Sequence, residues 1–410
     1  MLSVQEAQQR ILSQFSPTHE TILIPLEQAA GRVLAADVHA DTDLPPFDNS
    51  SVDGFAVRAE DIVSAGKDNP LRLPVIGDIP AGTQPAFRLD PGQAARIMTG
   101  APLPAGADAV VMVEDTDFDN RAAGIAAPQN VSVYRTVRTG ENVRRRGMDL
   151  KNGRQVLSAG IRLRAQDIGM LAMLGVANAP VRRAPRVAIL STGDEILPVA
   201  AALTPGKIRD TNAYTLSALA ASAGCEVIRL GVAADTRESV QQKLDAAFEA
   251  RADVIISSAG VSVGAFDYVK EVVQAGGALD FWKVDMRPGK PLAFGEYRGI
   301  PFFGLPGNPV SAFVGFLVFV EPALERLNGL QTAARPRVHV LLAEGLESDG
   351  RESYLRASVT LEAGKYVARF PGNQSSGNLF SLVEANALLI IPSGVKSCPP
   401  ETEVDAWFLP

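Results

Sequence analysis

Between Arg186 and about Leu330, short apolar runs alternate with helical text, and no other feature restricts the fold of this chain so tightly. Strands are predicted at Val187–Leu190, Val227–Val232, Val254–Ser257, Phe281–Val284, Leu292–Phe294 and Pro301–Gly304. Helices are predicted at Thr211–Ala223, Arg237–Ala250, Asp267–Ala275 and Pro309–Leu327. Such text folds as a doubly wound sheet with helices on both faces, and its ligands sit beyond the carboxyl ends of the strands. The run Val254-Ile255-Ile256 is apolar throughout, as a strand buried on both faces must be. It stops at Ser257-Ser258-Ala259-Gly260, and Phe266-Asp267-Tyr268-Val269 then opens a helix. Small residues there leave N–H groups bare for an anion, the helix start adds its positive end, and Asp267 stands beside them as a metal-ligand candidate. Taken alone, a Gly/Ser turn after a strand is an ordinary turn.

Its neighbours on the same rim add weight. The first strand ends in Ser191-Thr192-Gly193-Asp194-Glu195. Gly206-Lys207-Ile208-Arg209-Asp210-Thr211-Asn212 precedes the next helix, with Asp210 or Thr211 as its N-cap. Asp235 follows the second strand, Ser262 and Asp267 belong to the central turn, Arg287-Pro288-Gly289-Lys290-Pro291 follows the fourth strand, and Leu305-Pro306-Gly307-Asn308-Pro309 leads into the last helix. Together these turns carry carboxylates (Glu195, Asp235, Asp267), cations (Lys283, Arg287, Lys290) and exposed backbone. Mg²⁺ with a phosphate-bearing ligand requires that mixture, because the ion takes oxygen donors and the cations balance phosphate charge.

The flanking text differs. Ser3-x-x-Glu6 is a capping-box pattern, and Val4, Ala7, Ile11 and Phe15 recur at helical spacing. A second short helix is predicted at Leu26–Ala35. From residue 49 to 141 short apolar runs separated by Gly, Pro and Asp read as a β module, and helical text resumes at Ala165–Leu174. After Arg335 the strand pattern returns as a small barrel or sandwich. The predicted division is therefore a discontinuous helical domain (1–48 and 142–181), an inserted β-rich domain (49–141), an α/β domain (182–330) and a C-terminal β domain (331–410). The last helix is apolar nearly all round, which marks it as core or as a subunit interface. Arg144-Arg145-Arg146 reads equally as a solvated basic face or as an anion contact.

Several function classes are excluded or disfavoured. A net charge of −7 suits duplex nucleic acid poorly. The longest apolar stretch, Val310–Val320, falls short of the roughly 20 residues a membrane span needs, and the N-terminus has no signal-peptide pattern. Cys225 and Cys398 match no metal spacing and form no disulfide framework, so a cytoplasmic location is expected. Neither GxGxxG nor GxxxxGK[ST] occurs, which argues against a nicotinamide dehydrogenase and a P-loop ATPase. His19, His39 and His339 all lie outside the α/β domain, so carboxylate and metal chemistry fits better than histidine-based nucleophilic catalysis.

The segments DNSSVDGFAV, IMTGAPLPAGADAVVMVED, NVRRRGMD, STGDEI, GKIRDTNAYTL, SAGVSVGAFDYV, RPGKPLAFG and FFGLPGNPVSAF occur in that order. With the β tail they resemble the molybdopterin molybdenumtransferase family, the MoeA type also found as the E domain of gephyrin. The resemblance implies a four-domain subunit with a molybdopterin-binding type α/β domain. It implies a homodimer whose active site is shared between subunits. It also implies insertion of molybdate into adenylylated molybdopterin with Mg²⁺ and release of AMP. Contacts with the molybdopterin adenylyltransferase and with molybdoenzyme apoproteins follow from the same resemblance. Its catalytic positions correspond to Asp53, Thr99, Asp149, Glu195, Asp235 and Asp267, the last three also as metal ligands. Its substrate-binding positions correspond to Arg144, Lys283, Arg287, Pro306, Pro309, Arg356 and Ser376, to which the rim reading adds Ser262 and Lys290. The sequence departs from the family pattern at Arg287, often Lys, at Ala259, usually Gly, and at Ala234-Asp235, where two acids are common. The other classes are a non-catalytic molybdopterin-binding scaffold, disfavoured by the intact acidic rim, and the adenylylating sister enzyme, disfavoured by the flanking domains.

Overall fold

The computed structural model describes residues 1–118, 124–259, 268–330 and 335–409. They form two compact units, one of Met1–Ala36, Ala159–Gly169 and Ala177–Pro410, the other of Asp37–Ser158 and Met170–Val176.

The larger unit is built on a six-stranded sheet. Its order is Glu226–Ala233, Arg186–Thr192, Val254–Ser258, Ile300–Leu305, Pro291–Tyr297, Gly277–Lys283. Successive residues pack on opposite faces. Val187, Ile189, Val254, Ile256, Phe303 and Leu305 join one core, and Ala188, Leu190, Ile255, Ile300 and Phe302 the other. Helices Asn212–Ser222 and Pro309–Gly315 contribute to the first core, and Arg237–Glu249 and Tyr268–Gly276 to the second. That two-sided burial explains the unbroken apolar runs.

Three strands of this sheet follow one another between residues 277 and 305, as the predicted strands do. The structure adds their direction: Pro291–Tyr297 runs antiparallel to both neighbours. The sheet is mixed rather than wholly parallel. The reversal has a useful result: the end of Gly277–Lys283 and the start of Pro291–Tyr297 both lie on the carboxyl edge of the parallel strands.

Two helix expectations also change. Leu26–Ala35 forms only a 3-10 turn, Leu26–Gln28, because Val33 and Leu34 are taken into bridges with Arg162 and Val181. The predicted Pro309–Leu327 helix holds a π-helical stretch at Phe316–Val320, every residue of it buried. The N-terminal helix Val4–Ser13 carries the expected capping box, with Ser3 N–H donating to Glu6 Oε2 (2.8 Å) and Glu6 N–H to Ser3 Oγ (3.2 Å).

Residues after 337 close into a barrel. Val338–Leu342 pairs with Lys365–Arg369 and Glu403–Phe408, Ala387–Ile391 joins Glu403–Phe408, and Glu352–Glu362 pairs with both Ala387–Ile391 and Lys365–Arg369. Closure leaves this ring no free strand edge.

The smaller unit holds a five-stranded sheet in the order Ala109–Met112, Gly54–Val57, Ala94–Ile97, Leu71–Ile79, Asn130–Val133. Glycine is required at residue 54, since a Cβ there would lie 1.9 Å from Val111 O.

Candidate active site

The carboxyl edge of the six-stranded sheet opens into a cleft of about 1180 Å³. Its floor is made by strand ends, including Ser191, Thr192 and Ser258. Ser191 Oγ donates to Asp210 Oδ1 (3.0 Å) and lies 3.4 Å from Ser258 Oγ. Asp210 also caps the next helix, accepting from Ala213 N–H at 3.0 Å, so the N-cap role falls to Asp210 rather than Thr211.

Beside this floor, Glu195 folds back over Gly193. A Cβ on Gly193 would sit 2.4 Å from the Glu195 carboxylate, and the glycine's φ is +136°. Both observations exclude a side chain at 193 without moving the acid. Gly193→Ala is therefore expected to displace Glu195 and cut turnover by about ten-fold or more, with about 1–2 kcal/mol lost in a urea melt. Turnover equal to the parent would show that the position of Glu195 is unimportant.

Ala259 closes the described part of the central turn in the left-handed region, φ +69°. This conformation favours glycine. Its Cβ would meet one built on Gly307 at 3.3 Å, so the two rim turns pass close together.

The opposite wall belongs to the barrel. Arg356 sits on the Glu352–Glu362 strand and is 1% exposed. Its Nε donates to Ser381 Oγ (3.0 Å), and its Nη2 donates to Ser375 O (3.0 Å) and Asn373 O (3.4 Å). Among the described residues no carboxylate pairs with it. Burial pushes its guanidinium down to about 10, and the charge of Arg287 adds to the effect. It stays charged at neutral pH. A buried cation that has only neutral acceptors and lines a cleft is poised for an anion.

Arg287 and Lys290 reach the cleft from the loop between the last two strands of the sheet. Pro306, Pro309 and Ser376 complete this side. Ser376 Oγ accepts from Asn308 Nδ2 (2.9 Å), and Ser376 O accepts from Val310 N–H (3.1 Å), which ties the helix start to the barrel segment.

Seven of the expected residues thus share one cleft: Glu195, Arg287, Lys290, Pro306, Pro309, Arg356 and Ser376. Asp235 and Lys283 are not among its lining residues. Asp235 instead exchanges bonds with the neighbouring turn, Asp194 N–H donating to Asp235 Oδ2 (3.3 Å) and Asp235 N–H to Asp194 Oδ1 (3.1 Å). Lys283 is an exposed residue at the end of the edge strand. Ser262 and Asp267 lie outside the described residues.

In the smaller unit the expected residues form two pairs. Thr99 donates to Asp53 Oδ1 through both its N–H and its hydroxyl, each at 2.7 Å. Arg144 forms an ion pair with Asp149. Arg145 pairs with Asp48 (2.7 Å) and Arg146 with Asp43 (2.7 Å), so each member of the basic cluster has an acidic partner.

Lys207, Arg209, Asp210 and Arg351 also line the cleft; the sequence places the first three on the rim without a site role and does not point to Arg351. The rim motif Gly206–Asn212 held a signal for the first three, since it combines two cations and an acid before a helix. Nothing in its spacing singles out Arg351.

Along its whole length, and that of the relative, this chain is 39% identical to molybdopterin molybdenumtransferase 2 of Mycobacterium tuberculosis. The chain belongs to the molybdopterin molybdenumtransferase family. It is also 41% identical to the molybdopterin molybdenumtransferase of a Nostoc species, over 92% of this chain and 86% of that one. Three family models match in series: the MoeA N-terminal region (domain I and II) at residues 2–175, a probable molybdopterin binding domain at 188–326, and the MoeA C-terminal region (domain IV) at 339–409. The crystal structure of a molybdopterin biosynthesis MoeA protein from Pyrococcus horikoshii superposes with a TM-score of 0.82, at 31% identity and covering 100% of both chains. Membership of the molybdopterin molybdenumtransferase family makes the chain a transferase with a mixed α/β, multidomain architecture. No helix among the described residues is long and apolar enough to cross a membrane.

Proposed function

We propose that the chain inserts molybdate into adenylylated molybdopterin, releasing AMP and yielding molybdenum cofactor. The observation that carries this reading is Arg356, buried without an acidic partner among the described residues and facing the same cleft as Arg287, Lys290 and Glu195. Molybdate is a hard, doubly charged oxyanion suited to N–H donors and cations, and so is the phosphate of an adenylylated substrate. The soft sulfur donors for molybdenum come from the pterin dithiolene, so the protein needs no thiol cluster. Both of its cysteines are buried and free.

The cations hold the negative charge of the ground state and of the departing AMP. Arg356 is fixed by three neutral acceptors, so its orientation needs no rearrangement when the anion arrives. Mg²⁺ binds through one or two carboxylates with substrate phosphate and water, and Glu195 is the acid of the cleft open to that role. Glu195 would hold it, with Asp235 and Asp267 the further acids of this reading. Bound there, the ion would neutralise charge on the phosphate. Asp53, Thr99, Arg144 and Asp149 complete the proposed catalytic and binding set, and the working form is a homodimer with a shared site. The free thiols suit the cytoplasm, where the adenylyltransferase and apoprotein partners would be met.

The deciding experiment incubates the protein with adenylylated molybdopterin, molybdate and Mg²⁺, and scores AMP. AMP is expected only when molybdate and Mg²⁺ are both present, and Glu195→Gln is expected to slow its release by about 100-fold. No AMP from the parent chain would sink the reading. ATP consumption with pyrophosphate release would indicate the adenylylating activity instead.

A further inference from the structure

Arg287 carries the sharpest contrast with Arg356. Its side chain is 43% exposed, and among the described residues its guanidinium has no hydrogen-bond partner. Its Nη1 lies 3.9 Å from Asp349 Oδ2, close enough to attract but too far for a hydrogen bond. Asp349 is held by another residue. Arg351 donates to it from Nε (3.1 Å), from backbone N–H (3.2 Å) and from Nη2. These bonds keep the carboxylate well below the usual range, so it is charged at neutral pH.

We propose that Asp349 stands in for the ligand's oxyanion. Its fixed carboxylate balances Arg287 while the cleft is empty, and an incoming tetrahedral, doubly charged oxyanion takes Arg287 over. The inference rests on the function proposed above, since it presumes that such an anion binds here. Its chemistry is Coulombic. Asp349 repels the guest and competes for Arg287, so it weakens binding, and when the product anion departs it receives Arg287 back. The arrangement limits how tightly the cleft holds product. Anchoring by Arg351 is essential, because a mobile carboxylate would swing away and exert no brake.

The consequence is an unusual sign. Asp349→Asn keeps the shape and an acceptor oxygen for Arg351 but removes the competing charge. Anion affinity is expected to rise, by about two- to five-fold at low salt, with the gain shrinking as salt is added. Loss of a merely structural residue would lower affinity instead.

The test is titration calorimetry of the whole protein with AMP plus Mg²⁺ and, separately, with molybdate. Parent, Asp349→Asn, Arg287→Gln and the double variant are compared. A gain with AMP assigns Arg287 to the phosphate, and a gain with molybdate assigns it to the metal oxyanion. The gain should vanish in the Arg287→Gln background. Tighter binding in neither arm, or a gain that survives loss of Arg287, overturns the inference while leaving the proposed reaction standing. Failure of the parent to bind either anion overturns both.

Discussion

Arg356→Met should leave about 1% of the parent's turnover or less, while the protein still folds. The substitution keeps an unbranched side chain of similar length and removes the buried charge. The anion then loses its charge-assisted donor on the barrel wall. Stability should move far less than turnover. Three hydrogen bonds to Ser381, Ser375 and Asn373 disappear, but so does the desolvation of a buried guanidinium. The sign of that second effect follows from the lowered value of about 10 against the ordinary 12.5. A base held below its unfolded value opposes folding at every pH below about 10, and the opposition fades as pH climbs from there towards 12.5. Removing it therefore offsets part of the lost bonding, and a net loss of about 1–2 kcal/mol is expected in urea. AMP release and a urea melt, run side by side, check the prediction. Parallel collapse of both would make Arg356 a structural residue rather than an anion contact.

Phe303→Ala should have the larger effect on stability, about 3–5 kcal/mol. The ring is fully buried, with its centroid 5.1 Å from that of Phe294 and 6.0 Å from that of Phe15. Phe294 in turn packs against Phe281 at 5.8 Å. Phe15, just beyond the N-terminal helix, is thereby keyed into the sheet face that helix covers. Truncation would leave a cavity under that contact as well as lose transfer energy. The expected result is a lower urea midpoint with an unchanged slope. A loss below about 1 kcal/mol would mean that this face is loosely packed.

The strength of the apolar signal decided what could be read from sequence. Val254-Ile255-Ile256 was legible because burial on both faces leaves no polar position to confuse the period. The Ser3–Glu6 box was legible because it is satisfied by local hydrogen bonds. Pro291–Tyr297 reads as a strand, but its direction is set by pairing with Ile300–Leu305 across a two-residue turn, which periodicity does not encode. Leu26–Ala35 has helical composition, and distant bridges overrode it. The π stretch at Phe316–Val320 is wholly apolar, as a buried α-helical turn would also be, so its composition does not mark it. At the site, the rim turns were visible because small residues, Pro and charge coincide there. Arg351 was not visible. Its bond to Asp349 is local and says nothing of the cleft, and its bond to Met286 O (3.1 Å) is defined only once the barrel meets the loop.

That meeting also decides how the cationic side of the cleft is held. Met286–Arg287 pairs in parallel with Glu352–Ser353, so the loop is stitched into the barrel although it leaves and rejoins the sheet. Arg287 is thereby held beside the barrel strand that carries Arg356, with Arg351 just before that strand, whereas Glu195 and Asp210 are placed by the turns of the sheet. The spacing among the arginines is therefore set by one strand and its pairing, and the distance to the acids by a separate set of contacts.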